Sequence, residues 1–314
     1  MSASFYAPVL IHTLCRYEHF KRCLESLSRC TDAEETEVFV GLDYPAKESH
    51  RSGYEKIRDY LDNCGDLGFK ALHVIKRPHN YGFGPNGNAM SLRRDVFKEY
   101  DRIIVSEDDN EFAPAFLDFM NKALEKYHND DRVLTVGGFT GPVFEGIASE
   151  GVIFTYPCCA WGLGLWRHKE EKNQPSADYY ANIINDKKKS WRLFKSLPAC
   201  WVLLHRMVTS KKNFGDIKRE TYNFMNNTFQ VRPYTSLVRN WGNDGSGVHC
   251  VDDRGRLSSI HLSDCRTIDL GDCEVKLSVS QWKMFFYDLP PANTLHGWMV
   301  LGKYTFIYLK SLFH

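Results

Sequence analysis

Along the first 137 residues the apolar positions alternate between two periods. Short apolar runs at 8–14, 37–42 (EVFVGL), 71–75 and 102–106 read as strands, and each precedes a stretch with helical spacing. In 17–27 the spacing falls on Phe20, Cys23, Leu24 and Leu27; 53–61 and 89–100 follow the same period. After Ala113-Pro114, whose proline suits a first helical turn, one face is marked by Phe116, Phe119, Met120, Ala123, Leu124 and Tyr127. Residues 132–136 form a further strand. Strand and helix alternating at this interval predict an α/β class, a mostly parallel sheet covered by helices on both faces.

Sheets of that kind bind ligands beyond the carboxyl ends of their strands. The rule selects Arg16 after the first strand, Asp43 after the second, and the triplet Glu107-Asp108-Asp109 after the fourth. Three adjacent carboxylates at the end of a buried strand repel one another and resist desolvation. They are either an acidic loop at a helix start, where the helix dipole favours negative charge, or oxygen ligands for a divalent cation.

From about residue 140 the pattern loosens into the aromatic "YPCCAWGLGLWRHKEE", the basic helical "INDKKKSWRLFKS" and the Gly-rich "WGNDGSGVHC". Neither a repeat nor a linker separates the halves. The expected organisation is 1–140 as a ligand-binding half, 141–290 as the irregular second half of the same domain, and 291–314 as an amphipathic C-terminal segment. In that segment Trp298, Leu301, Tyr304, Tyr308 and Leu312 recur at near-helical spacing with Lys303 and Lys310. It is too short to span a bilayer; it either lies on a membrane surface through 298–314 or docks on the domain.

Composition narrows the classes. A hydrophobic fraction of 43% supports a sizeable core in 314 residues, and a net charge of +1 without long basic runs makes nucleic acid an unexpected partner. Ten cysteines without a CxxC pair predict reduced thiols. The N-terminus lacks a signal-peptide pattern and no run of about 18 apolar residues occurs, so the expectation is a cytoplasmic protein, peripheral at most on the cytoplasmic face of a membrane.

The strand ending in "VSEDD" followed by "FAPAFLDFMNKAL" resembles the nucleotide-sugar glycosyltransferases of the GT-A fold, especially the N-acetylglucosaminyltransferase I type, in which E-D-D replaces D-x-D. "TLCRYEHFKRCLESL" and "VGLDYP" are similar to that family's first two strand-to-helix passages. "CCAWGLGLW" and "SLVRNWGNDGSGVHC" resemble segments of bacterial surface-polysaccharide transferases. The likeness runs in order over roughly residues 8–250. The chain departs from the pattern where Leu163 and Leu165 interrupt the Trp-Gly-Trp-like string, and where Phe214 rather than tryptophan precedes "GDIK".

The resemblance implies a GT-A fold, Rossmann-like, and a metal-dependent inverting transfer from a nucleotide-diphosphate sugar to a glycan or lipid-linked acceptor in surface polysaccharide assembly. A UDP-sugar ranks ahead of a GDP-sugar. Asp109 would ligate Mn²⁺ or Mg²⁺, Asp108 would face the ribose or a metal-bound water, and Glu107 would orient the sugar. Arg16 would reach the nucleotide, Asp43 the base, and His249 would complete the metal shell or touch the diphosphate. Asp216 would be the general base, with Asp244 as fallback. Asp43 is equally a turn-forming residue, and Trp161 and Trp166 are either sugar platforms or core aromatics. The alternatives are a catalytically inactive nucleotide- or carbohydrate-binding protein on the same scaffold, and a sugar nucleotidyltransferase. The second lacks its expected Gly-rich phosphate loop after the first strand.

Overall fold

The computed structural model describes residues 5–141, 151–210, 214–245, 257–278 and 295–312. Every strand and helix expected in the first 137 residues is present: β1 (Val9–Thr13), α1 (Tyr17–Ser28), β2 (Glu37–Leu42), α2 (Arg51–Asn63), β3 (Ala71–Lys76), α3 (Asn88–Val96) and β4 (Arg102–Glu107). A short β5 (Asn110–Phe112) then precedes α4 (Phe116–Lys126) and β6 (Val133–Gly137). The second half adds β7 (Val152–Thr155), β8 (Leu163–Trp166), α5 (Arg167–Lys172), α6 (Ala177–Asn185), α7 (Lys187–Ser196), α8 (Pro198–Ser210), α9 (Gly215–Asn226), β9 (Phe229–Pro233) and β10 (Val238–Asn240). A final helix, α10, spans Leu295–Ser311.

The main sheet has the order β3-β2-β1-β4-β8-β6-β9-β7. Its β3-β2-β1-β4 half is parallel throughout, as expected. The other half is mixed, because β8 runs antiparallel to both β4 and β6, and β7 antiparallel to β9. The aromatic string that looked irregular in sequence contributes β8, whose Leu163, Leu165 and Trp166 are all buried. Its glycine and leucines follow a strand period too briefly to be separated from a loop.

Period-two alternation sends neighbouring side chains to opposite faces. Val9, Ile11 and Ile104 join the core under α1, α2 and α4. Leu10, Ile103 and Val105 meet α3 on the other face. Both strands are thus apolar on both sides, the expected condition for central parallel strands. The α4 stripe of Phe116, Phe119, Met120, Ala123 and Leu124 is fully buried; burying a side chain of the Phe or Leu size contributes about 1.5–3 kcal/mol.

Helices α6, α7 and α8 form a side layer around Tyr180, Ile183, Leu193, Phe194, Trp201 and Leu204. The Lys187-Lys188-Lys189 run begins α7, where the helix dipole disfavours cations. Asp186 offsets this as the N-cap, its carboxylate accepting from the backbone N–H groups of Lys188 (2.9 Å) and Lys189 (3.0 Å).

The connection from β3 to β4 positions the site. The chain builds outward from β1 through β2 to β3, then returns to the opposite side of β1, so β1 lies between β2 and β4. This reversal of strand order opens a crevice between the carboxyl ends of β1 and β4. The register pairs His12 with Glu107, which sets the residues following both strands face to face.

Candidate active site

Arg16 follows β1 by three residues and precedes α1, and its guanidinium crosses the crevice to both aspartates of the triplet. It forms an ion pair with Asp108 and lies 2.8 Å from Oδ2 of Asp109. The Thr13 hydroxyl donates to Asp108 Oδ2 at 2.8 Å. The two carboxylates are 8% and 5% exposed, so their mutual repulsion is little screened and the arginine is what offsets it. Burial pulls the Arg16 pKa down, but the fields of Asp108 and Asp109 and their hydrogen bonds outweigh it and hold it above its ordinary value.

Glu107 is only partly covered, yet burial among protein atoms pushes its carboxyl up to about 8, with added repulsion from Asp109, Asp216 and Asp108 against a smaller pull from Arg16. Asp216, in the first turn of α9, keeps a solvent-facing side chain. Its pKa is likewise raised by desolvation, against the opposing pull of Arg219 and Arg232. Both groups are partly open to solvent and yet desolvated by the atoms around them. Asp216 is among the charges that raise the Glu107 carboxyl, so the start of α9 lies within electrostatic reach of the triplet.

A second sheet borders the triplet. In the antiparallel β5–β10 pair, Asn240 lies opposite Asn110 and Arg239 opposite Glu111. Asn240 donates from Nδ2 to Asp109 Oδ1 at 2.7 Å and to Asn110 Oδ1 at 3.0 Å, while its own Oδ1 accepts from the Gly242 N–H at 2.9 Å. The Trp241 N–H donates to the Asp109 carbonyl at 2.9 Å. Gly242 packs so closely that a Cβ there would lie 2.0 Å from Asp109 Oδ2 and 3.2 Å from an Arg16 nitrogen. Sequence reasoning missed Thr13, Asn240 and Gly242. The available signal was "VRNWGN", a short β-like run ending in Asn and Gly, but nothing local says that it pairs with a strand 128 residues earlier.

Asp43 follows β2, and its carboxylate is directed at the loop before α3. Oδ1 accepts from the N–H groups of Tyr44 (2.9 Å) and Tyr81 (2.8 Å); Oδ2 accepts from Gly82 N–H (2.9 Å) and Asn80 Nδ2 (3.3 Å). A carboxylate has about four acceptor sites, and all are engaged. Gly82 has a φ of 59°, in the left-handed region that favours glycine. These bonds tie Asp43 to the loop before α3, and a base contact would share or displace one of them.

Asp244 follows the β10 turn, with its Oδ2 3.0 Å from His19 Nε2 on α1. His249 falls outside the described residues. Trp166 is fully buried, donating from Nε1 to the Leu124 carbonyl at 2.9 Å with the Lys169 ammonium 3.8 Å over its ring; the sugar-platform expectation fails there, because β8 is an interior strand. Trp161 packs edge-on to Phe139 at 4.7 Å. The nine described cysteines form no disulfide with one another.

Asp108 and Asp109 present hard oxygen donors of the kind Mg²⁺ and Mn²⁺ prefer. A cation already stands between them as the Arg16 guanidinium, and the absence of a side chain at Gly242 is what lets the Asp109 carboxylate occupy its position. Among the described residues no three His, Cys, Asp or Glu side chains enclose a metal by themselves. The residues therefore fit an ion held from one side, with the remaining positions left to ligand oxygens and water.

No protein-family model matches the sequence, and no curated protein matches it. Among solved structures the chain is similar to S. aureus TarS, with 19% identity over 46% of this chain and 24% of that one, at a TM-score of 0.31. It is also similar to TarS 1-349, with 15% identity over 54% and 49% of the two chains and a TM-score of 0.36. A third similar structure is the mannosyltransferase PcManGT from Pyrobaculum calidifontis in complex with GDP-Man and Mn²⁺, with 12% identity over 69% of each chain and a TM-score of 0.40. The matched region thus spans 24% and 49% of the two TarS chains. The functional reading rests on the residues of the crevice.

Proposed function

We propose that the protein is a metal-dependent, inverting glycosyltransferase that moves a sugar from a nucleotide-diphosphate donor to a glycan or lipid-linked acceptor. The observation that carries this reading is the Asp108–Arg16–Asp109 cluster at the strand-order reversal between β1 and β4. Such a crevice suits a nucleotide, and such a charge set suits a diphosphate with its counter-ion.

In this reading Asp109 is the direct metal ligand, and Asp108 faces the ribose or a metal-bound water. The bound Mn²⁺ or Mg²⁺ supplies Lewis-acid stabilisation of the diphosphate leaving group. Arg16 offers a planar fork of donors matched to phosphate oxygens, available once its aspartates are neutralised by other charge. Glu107, whose carboxyl is raised by burial and by its acidic neighbours, orients the sugar by hydrogen bonding to its hydroxyls. Asp216 accepts the proton of the acceptor hydroxyl as that oxygen attacks the anomeric carbon. The carbon–phosphate-oxygen bond breaks on the opposite face, the nucleoside diphosphate leaves with the electron pair, and the anomeric configuration inverts. A uridine donor is favoured over a guanosine one.

The test is slow donor hydrolysis. The protein is incubated with a panel of UDP- and GDP-sugars with and without Mn²⁺, and released nucleoside diphosphate is measured. Release that depends on the metal and is lost in Asp109→Asn supports the assignment. Tight nucleotide binding with no release from any donor assigns the chain to the inactive binding class instead.

A further inference from the structure

The final helix, α10, is docked and yet leaves a large apolar face uncovered. Its docking face centres on Tyr308, 5% exposed, which stacks on Phe194 at 4.3 Å and meets Trp201 edge-on at 4.9 Å. The two expectations for this segment were therefore not exclusive, because one face packs on α7 and α8 and the other remains in solvent. On the free face Leu295 is 79% exposed, Trp298 61%, Met299 64%, Phe306 68% and Leu309 50%. Their spacing of i, i+3, i+4, i+11 and i+14 makes a single stripe along the helix, interrupted only by exposed Gly302.

The charge on α10 itself has one sign. α10 contains no acidic residue, and Lys303 and Lys310 border Met299 and Phe306 along one edge. Beside the helix, Trp191 of α7 is 51% exposed and its ring lies 5.6 Å from Tyr308. Lys187, Lys188 and Lys195 stand at i−4, i−3 and i+4 from Trp191, on the same face of α7, and all three are exposed. Among the described residues none of these five lysines has an ion-pair partner. Five exposed lysines thus stand on the same two helices that carry the exposed apolar residues.

We propose that the free faces of α10 and α7 form a docking surface for an anionic lipid bilayer. An apolar stripe with tryptophans at its margin and lysines along its edge matches the boundary between headgroups and acyl chains: the rings and aliphatic groups enter, and the ammonium groups remain among the phosphates. At 17 residues the helix is about 25 Å long, and no described helix is long and apolar enough to cross a membrane. Lying in the interface plane is the arrangement its one-sided exposure permits. A protein groove would cover the apolar stripe equally well, but it would give no reason for two helices to present five exposed lysines, with the one adjoining carboxylate, Asp186, engaged as the α7 N-cap. The surface is independent of the crevice chemistry and stands whether or not the crevice transfers sugar.

The test is flotation of the full chain with vesicles of phosphatidylcholine alone and with about 30% phosphatidylglycerol, at low and high salt. The full chain floats with the anionic vesicles, and binding weakens as salt screens the lysines. Lys303→Glu/Lys310→Glu lowers the partition coefficient at least about tenfold. Trp298→Ser/Phe306→Ser abolishes flotation with an unchanged circular dichroism melt, since both side chains are already in solvent. No flotation with either vesicle overturns the proposal. So does flotation indifferent to both variants, or a self-association in light scattering that Trp298→Ser/Phe306→Ser disperses, which would make a second copy the occupant.

Discussion

The Arg16 guanidinium stands 2.8 Å from Oδ2 of Asp109, which places the residues that follow two different strands in a single charge balance. Removing the arginine leaves two buried, adjacent carboxylates without a counter-charge. Arg16→Ala should lower stability by on the order of 3 kcal/mol at neutral pH, read from urea unfolding. Mn²⁺ should restore part of the loss by replacing the missing charge. An unfolding midpoint equal to that of the unaltered chain, with and without metal, would remove Arg16 from this role.

The close approach of Gly242 to Asp109 gives a second expectation. A methyl group 2.0 Å from the carboxylate oxygen cannot be accommodated without moving either the side chain or the β10 turn. Gly242→Ala should weaken Mn²⁺ binding at least about tenfold while leaving the global unfolding free energy within about 1 kcal/mol, because the turn lies at the rim of the sheet. Asn240→Ala removes the hydrogen bond to Asp109 Oδ1 and should act in the same direction more weakly. Metal affinity unchanged in Gly242→Ala would mean that the turn moves freely away from the site.

For Asp43 the hydrogen bonds predict a loop phenotype. Asp43→Asn retains the shape but replaces one set of acceptor lone pairs with donors, facing N–H groups that need an acceptor. The amides of Tyr81 and Gly82 should then exchange with solvent about 10- to 100-fold faster, as expected for the loss of roughly 1–3 kcal/mol of local hydrogen bonding. Unchanged exchange together with weakened nucleotide binding would return Asp43 to the base-contact role.

Much of this site was legible in the sequence, and the limit has a physical cause. Periodicity located β1, β2, β3 and β4, and the rule of carboxyl ends then selected Arg16, Asp43 and the triplet without coordinates; all three do lie at strand ends. Local pattern could not show that β4 pairs with β1, the relation that joins Arg16 to Asp108 and Asp109. Nor could it reveal Asn240 and Gly242, which reach Asp109 through a three-residue ladder too short to leave a period. The two readings of Trp166 stayed open for a related reason. An aromatic string suggests a binding platform as readily as an interior strand, and only its pairing with β4 and β6 decides the matter.

The environment of Asp216 fixes a pH dependence. Desolvation raises its pKa above the ordinary carboxylate value of about 4, and Arg219 and Arg232 moderate that rise. A general base works as the carboxylate, so activity is full above the raised pKa and is lost as pH falls through it. The acidic limb of kcat/KM for donor and acceptor together should therefore lie above pH 4. Asp216→Asn should cut turnover by about 10²-fold or more and flatten that limb. An acidic limb that persists unchanged in the variant would assign it to another group.

The central claim is that Asp109 holds a divalent cation beside a nucleoside diphosphate. Titration of Mn²⁺ into the full chain with saturating UDP, followed by electron paramagnetic resonance of the free ion, tests it without any acceptor. The account predicts one tight UDP-dependent Mn²⁺ site that weakens by about 100-fold or more in Asp109→Asn, a change that removes the ligand charge but keeps its shape. Equal Mn²⁺ affinity in the two proteins would contradict it.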